Sequence, residues 1–146
     1  MNTFTVPATL DSLSDIAVFV LKAADDAGLD RQARYRLRLA VDELATNVVN
    51  YGCSAAGRTG ARPGSIDLRA EMNDRTLTVV MEDAGAPFDP TRQPPPRLDL
   101  PPDEREIGGL GIFLALQGVD QYHYERVGDR NRSVFIVNRP TEKGPD

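Results

Sequence analysis

The sequence predicts an α+β fold, a two-layer sandwich in which helices cover one face of a mainly antiparallel mixed sheet. Three observations lead there: two long stretches of helical period come early, an alternating strand pair with a short turn follows, and a glycine-opened helix precedes a second alternating pair.

Thr3 to Ala8 alternate loosely and predict a first strand, with Pro7 at its end or on an edge. Ser12 with Asp15 resembles a capping box, and Leu13, Ile16, Ala17, Val20, Ala24 and Ala27 recur at helical spacing until Gly28 stops the helix. Asp30 can cap a second helix from Arg31 to Tyr51, whose apolar stripe is Leu37, Val41, Leu44 and Val48, with Gly52 ending it. Ser54 to Gly64 has no apolar period and reads as a surface loop.

Ile66, Leu68, Ala70 and Met72 alternate with Asp67, Arg69 and Glu71. After the turn residues Asn73 and Asp74, Leu77, Val79 and Met81 alternate again, predicting an antiparallel hairpin. Seven of the eleven prolines lie between Pro87 and Pro102, so no regular element is expected there. Gly109 to Leu116 reads as a helix, and Val119–Val127 and Ser133–Val137 as strands joined by a turn at Gly128 to Asn131.

With 146 residues and 40% hydrophobic content, the chain is expected to form one domain over residues 1–139, followed by a disordered tail at 140–146. The longest apolar run, Ile16 to Leu21, is far short of the roughly 20 residues of a membrane span, so a soluble, cytoplasmic protein without membrane contact is expected. A formal charge of −5 argues against nucleic acid as a direct partner. The lone Cys53 can form no intrachain disulfide, and cysteine chemistry is not expected.

Three clusters carry the candidate chemistry. Glu43 and Asn47 are four apart and project from one side of helix two beside the Leu44/Val48 stripe, with Asn50 and Tyr51 continuing that side. These oxygens could serve magnesium and a general base, although the helix alone reads first as a solvated polar face. In the second cluster, Met81 to Phe88, Asp83 shares the parity of Leu77, Val79 and Met81 and so faces the core at the strand's mouth. Such a carboxylate wants donors, and Gly85 would admit a flat ligand; an Asp-Ala-Gly turn bonded to its own N–H groups explains the cluster equally well.

The third cluster, Gly108-Gly109-Leu110-Gly111-Ile112, exposes N–H groups at a helix start where phosphate oxygens are favoured. A flexible hinge is the alternative. It matches neither the P-loop nor the dinucleotide fingerprint.

Taken in order, the three clusters resemble the N, G1 and G2 boxes of the ATPase domain shared by gyrase, the Hsp90 chaperones, histidine kinases and MutL. Within that superfamily the chain is similar to the small anti-sigma-factor serine/threonine kinases of bacteria. The resemblance implies a Bergerat-type ATP-binding fold. It also implies Asn47 as the Mg²⁺ ligand, Glu43 as the catalytic carboxylate, Asp83 as the acceptor of the adenine amino group, and Gly85 along the adenine. Gly109, Leu110 and Gly111 would wrap the phosphates, Ser133 would stand beside the adenine site, and Asp89 to Gly108 would form the ATP lid. Arg105 is the nearest lid arginine for the terminal phosphate, with Arg97 and Arg92 as rivals. The implied cofactors are ATP and Mg²⁺, and the implied partners are an anti-anti-sigma (STAS-domain) protein, a sigma factor and a second copy of the chain. The competing expectations are a nucleotide-dependent protein-binding switch without kinase activity, and an interaction protein that uses no nucleotide.

Overall fold

The computed structural model describes residues 2–52, 64–92 and 109–140, with residues 51, 52, 109 and 110 described for their backbone only. Cys53, the expected loop at 54–63, Gly108, Arg97, Arg105, most of the expected lid and the tail from 141 lie outside the described residues.

The chain runs β1 (Asn2–Pro7), α1 (Ser12–Asp26), α2 (Arg31–Asn47), a π-helical turn (Val48–Gly52), β2 (Ser65–Met72), β3 (Thr76–Asp83), a 3₁₀ turn (Pro90–Arg92), α3 (Gly109–Leu116), β4 (Gln121–Val127) and β5 (Arg130–Asn138). The strands make one sheet in the order β1-β2-β3-β5-β4, and each pairing is antiparallel. The expected α+β two-layer arrangement is the one that forms.

Inward-facing Ile66, Leu68, Leu77, Val79, Met81 and Phe135 meet Ile16, Val20 and Ala24 of α1 and Leu37, Val41 and Leu44 of α2 in one core. Helix ends follow local chemistry. Gly28 takes φ +75°, and Leu29 N–H reaches back to the Ala24 carbonyl at 3.0 Å, a Schellman-type closure. The Asp30 carboxylate accepts from Ala33 N–H at 2.8 Å and caps α2.

Four expectations are corrected. The capping box at Ser12 does not form, because Asp11 is the N-cap, in αR geometry, and Ser12 is the first helical residue, buried with its hydroxyl on Thr9. Helix α2 ends at Asn47 and passes into a π turn, which leaves Asn50 exposed instead of continuing the Glu43/Asn47 edge. The proline-rich stretch opens with a 3₁₀ turn in which the Asp89 carboxylate accepts from Thr91 N–H at 2.9 Å and Pro90 takes the first helical position. Finally, the last hairpin turn uses only Gly128 and Asp129, with Gly128 at φ +62°, so β5 begins at Arg130 rather than Ser133. Among the described residues no helix is long and apolar enough to cross a membrane.

Candidate functional site

Strand alternation places Asp83 on the inner face at the last residue of β3, where it is 4% exposed. The residue opposite it in β5 is Asn131. Asp83 Oδ1 accepts from Gly85 N–H at 2.9 Å and from Asn131 Nδ2 at 3.1 Å. Among the described residues no donor stands on Oδ2. The described residues thus satisfy half of the carboxylate.

Asp83 lines a small cavity together with Leu44, Asn47, Val48, Met81, Ala86, Phe88, Pro90, Asn131 and Ser133. The cavity measures about 20 Å³, the space of about one water. Asn47 reaches this wall as the last residue of α2, half-buried, and among the described residues its side-chain amide makes no hydrogen bond. The first two sequence clusters therefore share one cavity.

The third cluster joins through Glu43. A Cβ placed on Gly111 would lie 2.9 Å from Glu43 Oε2 and 3.0 Å from Oε1. The carboxylate thus rests on the first turn of α3, in space that only a glycine leaves free. Glu43 makes no hydrogen bond among the described residues, whereas its neighbour Asp42 is drawn away to Arg38 at 3.4 Å. Burial raises the Asp42 carboxyl, and Arg38 partly offsets that rise.

Gly85 is buried but stands outside the cavity wall: its N–H serves Asp83 and its carbonyl accepts from Arg126 Nη1 at 2.9 Å. Gly109 and Leu110 form the first residues of α3. Ser133 opposes Met81 rather than Asp83, and its hydroxyl pairs with that of Tyr122 at 2.7 Å. Burial pushes the Tyr122 hydroxyl well above its ordinary range, and the Ser133 bond opposes that rise. Arg92 pairs with Asp89 at 3.4 Å and is largely exposed.

Asn131 is the residue that the sequence reading missed. Its Nδ2 donates to Asp83 and to the Ala86 carbonyl at 2.9 Å, and its Oδ1 accepts from Tyr124 Oη at 2.5 Å, Arg126 Nη1 at 3.1 Å and Phe88 N–H at 3.2 Å. One side chain thus fastens the Asp83–Phe88 segment to β4 and β5. The available signal was parity: Tyr122, Tyr124 and Arg126 alternate in β4 and share the inner face with residues 131 and 133.

The family model described as "Histidine kinase-like ATPase domain" matches residues 6–137. A curated relative, the serine/threonine-protein kinase BtrW of Bordetella bronchiseptica, is 29% identical over 93 residues, which are 64% of this chain and 62% of that protein. Among solved structures, the RsbU and RsbW domains of Rv1364c from Mycobacterium tuberculosis align over 100% of this chain and 35% of theirs, with TM-score 0.59 and 13% identity. The Acinetobacter baumannii histidine kinase AdeS aligns over 95% of this chain and 68% of its own, with TM-score 0.51 and 14% identity. At such identities these two likenesses concern the fold alone.

Proposed function

Because the chain belongs to the histidine kinase-like ATPase domain family, we propose that it binds ATP with Mg²⁺ between α2, the end of β3 and α3, and passes the terminal phosphate to a serine or threonine of a partner protein. The observation that carries the proposal is the convergence of three separate sequence clusters: Asn47 and Asp83 share a cavity wall, and Glu43 rests on Gly111.

The side chains suit an adenine nucleotide. A carboxylate oxygen without a protein donor can accept an exocyclic amino group, and the first turn of α3 offers N–H groups to phosphate. Mg²⁺ usually takes one or two protein oxygens and completes its shell with phosphate and water, so the single Asn47 carbonyl suits it. The cavity must widen to admit a purine, and Ala86, Phe88 and Pro90 form the wall contributed by the segment after β3.

ATP supplies an activated phosphoryl group, and the protein's part is positioning and charge stabilisation. Glu43 would accept the proton of the attacking hydroxyl while the bond to the departing diphosphate breaks. Among the described residues its carboxylate has no hydrogen-bond partner to release first.

The partner reading is narrower. The serine/threonine-protein kinase relative and the anti-sigma-factor resemblance favour an anti-anti-sigma, STAS-domain phosphoacceptor and a sigma factor held when the acceptor is absent. The experiment is transfer of labelled phosphate from ATP to the STAS-domain protein encoded nearest the gene, followed by co-purification with the sigma factors of the same cell. Glu43→Gln should bind ATP within about threefold of wild type yet lose roughly 100-fold or more in transfer. ATP binding without transfer to any STAS partner would rule out the kinase activity and leave a nucleotide-dependent switch.

Gly111→Ala offers a second check. The atoms nearest the new methyl are the far end of the flexible Glu43 side chain, so the fold should survive with a stability change of about 1 kcal/mol or less. Transfer should fall more steeply than ATP affinity, because the displaced group is the proton acceptor.

A further inference from the structure

Asp83 can accept hydrogen bonds on two oxygens, and the described residues fill only one. Oδ1 takes Gly85 N–H and Asn131 Nδ2, and among the described residues no donor reaches Oδ2, although the residue is 4% exposed and lines the cavity. Which face Asn131 shows to Asp83 decides what that carboxylate can be.

The orientation of Asn131 is fixed from several directions. Its Oδ1 accepts from Tyr124 of β4, Arg126 of β4 and the Phe88 backbone, and its Nδ2 also holds the Ala86 carbonyl. Turning the amide over would set an NH₂ group against three donors and a carbonyl against a carboxylate and another carbonyl. The amide therefore donates to Asp83 and cannot accept from it, so Oδ1 is held as an acceptor and Oδ2 is the oxygen left for a ligand's donor.

We propose that Asn131 is a positioning residue that holds Asp83 as an acceptor and thereby makes the site select a 6-aminopurine over a 6-oxopurine nucleotide. The inference rests on the reading of Asp83 as the purine contact given above. A 6-oxo group would face a carboxylate oxygen with no proton between them, whereas a 6-amino group donates into it. Among the described residues, the charged and titratable groups that reach Asp83 through Tyr122 or Asn131 are Tyr122, Tyr124 and Arg126 from β4 and Asp89 from the segment after β3; from α2 and its π turn the cavity is lined by Leu44, Asn47 and Val48.

The test is calorimetric binding of ATP and of inosine triphosphate to the full chain at pH 6 and pH 8. Wild type should prefer ATP by roughly tenfold or more, equally at both pH values. Asn131→Asp keeps the shape but faces Asp83 with a second carboxylate, and such a pair shares a proton up to a raised pKa. That proton lets the pair donate to a 6-oxo group, so the ATP preference should shrink to within about threefold at pH 6 and recover towards pH 8. A purely structural role would weaken both nucleotides alike and show no such pH profile.

The double variant Tyr124→Phe/Arg126→Met removes two of the three donors that lock the amide without altering Asp83 or Asn131, and it too should lose preference. It decides the matter if Asn131→Asp does not fold. Preference kept at wild-type level, at both pH values, in whichever of these variants folds overturns the inference. Asp83→Asn separates the two claims: if it leaves both ATP affinity and preference unchanged, the purine reading of Asp83 itself is wrong. If Asp83→Asn loses preference while Asn131→Asp keeps it, only the role of Asn131 falls.

Discussion

Glu82 and Asp83 are consecutive residues of β3, and β5 answers them on opposite faces of the sheet in opposite ways. On the outer face Glu82 meets Arg130 at 3.1 Å and Arg132 at 2.9 Å, and those arginines also reach Asp67 and Glu125. On the inner face Asp83 meets a neutral amide, Asn131. The difference follows from solvation. A partly exposed carboxylate can pair with guanidinium groups at little cost, whereas a buried ion pair must recover a large desolvation penalty from its own geometry. There is also a functional side: an arginine opposite Asp83 could take both carboxylate oxygens in a fork and leave none for a ligand. A neutral donor on one oxygen keeps the other available.

The largest effect that sharpens this contrast concerns the apolar residues of the same strand. Phe135 is fully buried on the inner face, and its neighbour Val134 lies half-buried on the outer one. Phe135→Ala should lower unfolding free energy by about 3–5 kcal/mol, and Val134→Ala by about 1 kcal/mol or less, as read from urea denaturation midpoints at constant slope. Equal losses would mean that the outer face is as well packed as the inner one.

Next in size is the ligand effect of the two carboxylates. Asp83→Asn should weaken ATP by roughly 10–100-fold, the range of one hydrogen bond to a charged group, while Glu82→Gln should leave it within about twofold. Calorimetric titration measures both. A comparable loss in Glu82→Gln would show that the outer network, and not the inner amide, sets the geometry of the β3 end.

What the sequence disclosed of this contrast was the part carried by period. Alternation put Asp83 on the core face, and spacing by four put Glu43 and Asn47 together, because both follow from the repeat of a single element. Gly28 and Asp30 were legible as stop and cap because their chemistry is local. Asn131 was not, since Gly128, Asp129, Arg130 and Asn131 are all turn-compatible residues and nothing local says that only the first two turn the chain. The π turn after Asn47 was hidden because Val48 keeps the apolar stripe of a continuous helix. The contact of Glu43 with Gly111 depends on α2 packing against α3, a tertiary fact that no repeat within either element encodes. Resemblance supplied the grouping of the three clusters before any geometry did.

The smallest expected effect is the stability contribution of the outer network itself. Removing Glu82 leaves Arg130 its Asp67 partner and Arg132 its Glu125 partner, so among the described residues only Arg69, at 3.9 Å, loses its carboxylate contact outright. Pairs of this exposure contribute about 1 kcal/mol or less each, and added salt screens them. Glu82→Ala should therefore shift the urea midpoint slightly at low ionic strength, and the difference from wild type should shrink by half or more in 1 M NaCl. A large, salt-insensitive loss would mean that Glu82, 15% exposed, behaves as a buried charge partner. The two faces of β3 would then differ in their ligands but not in their electrostatics.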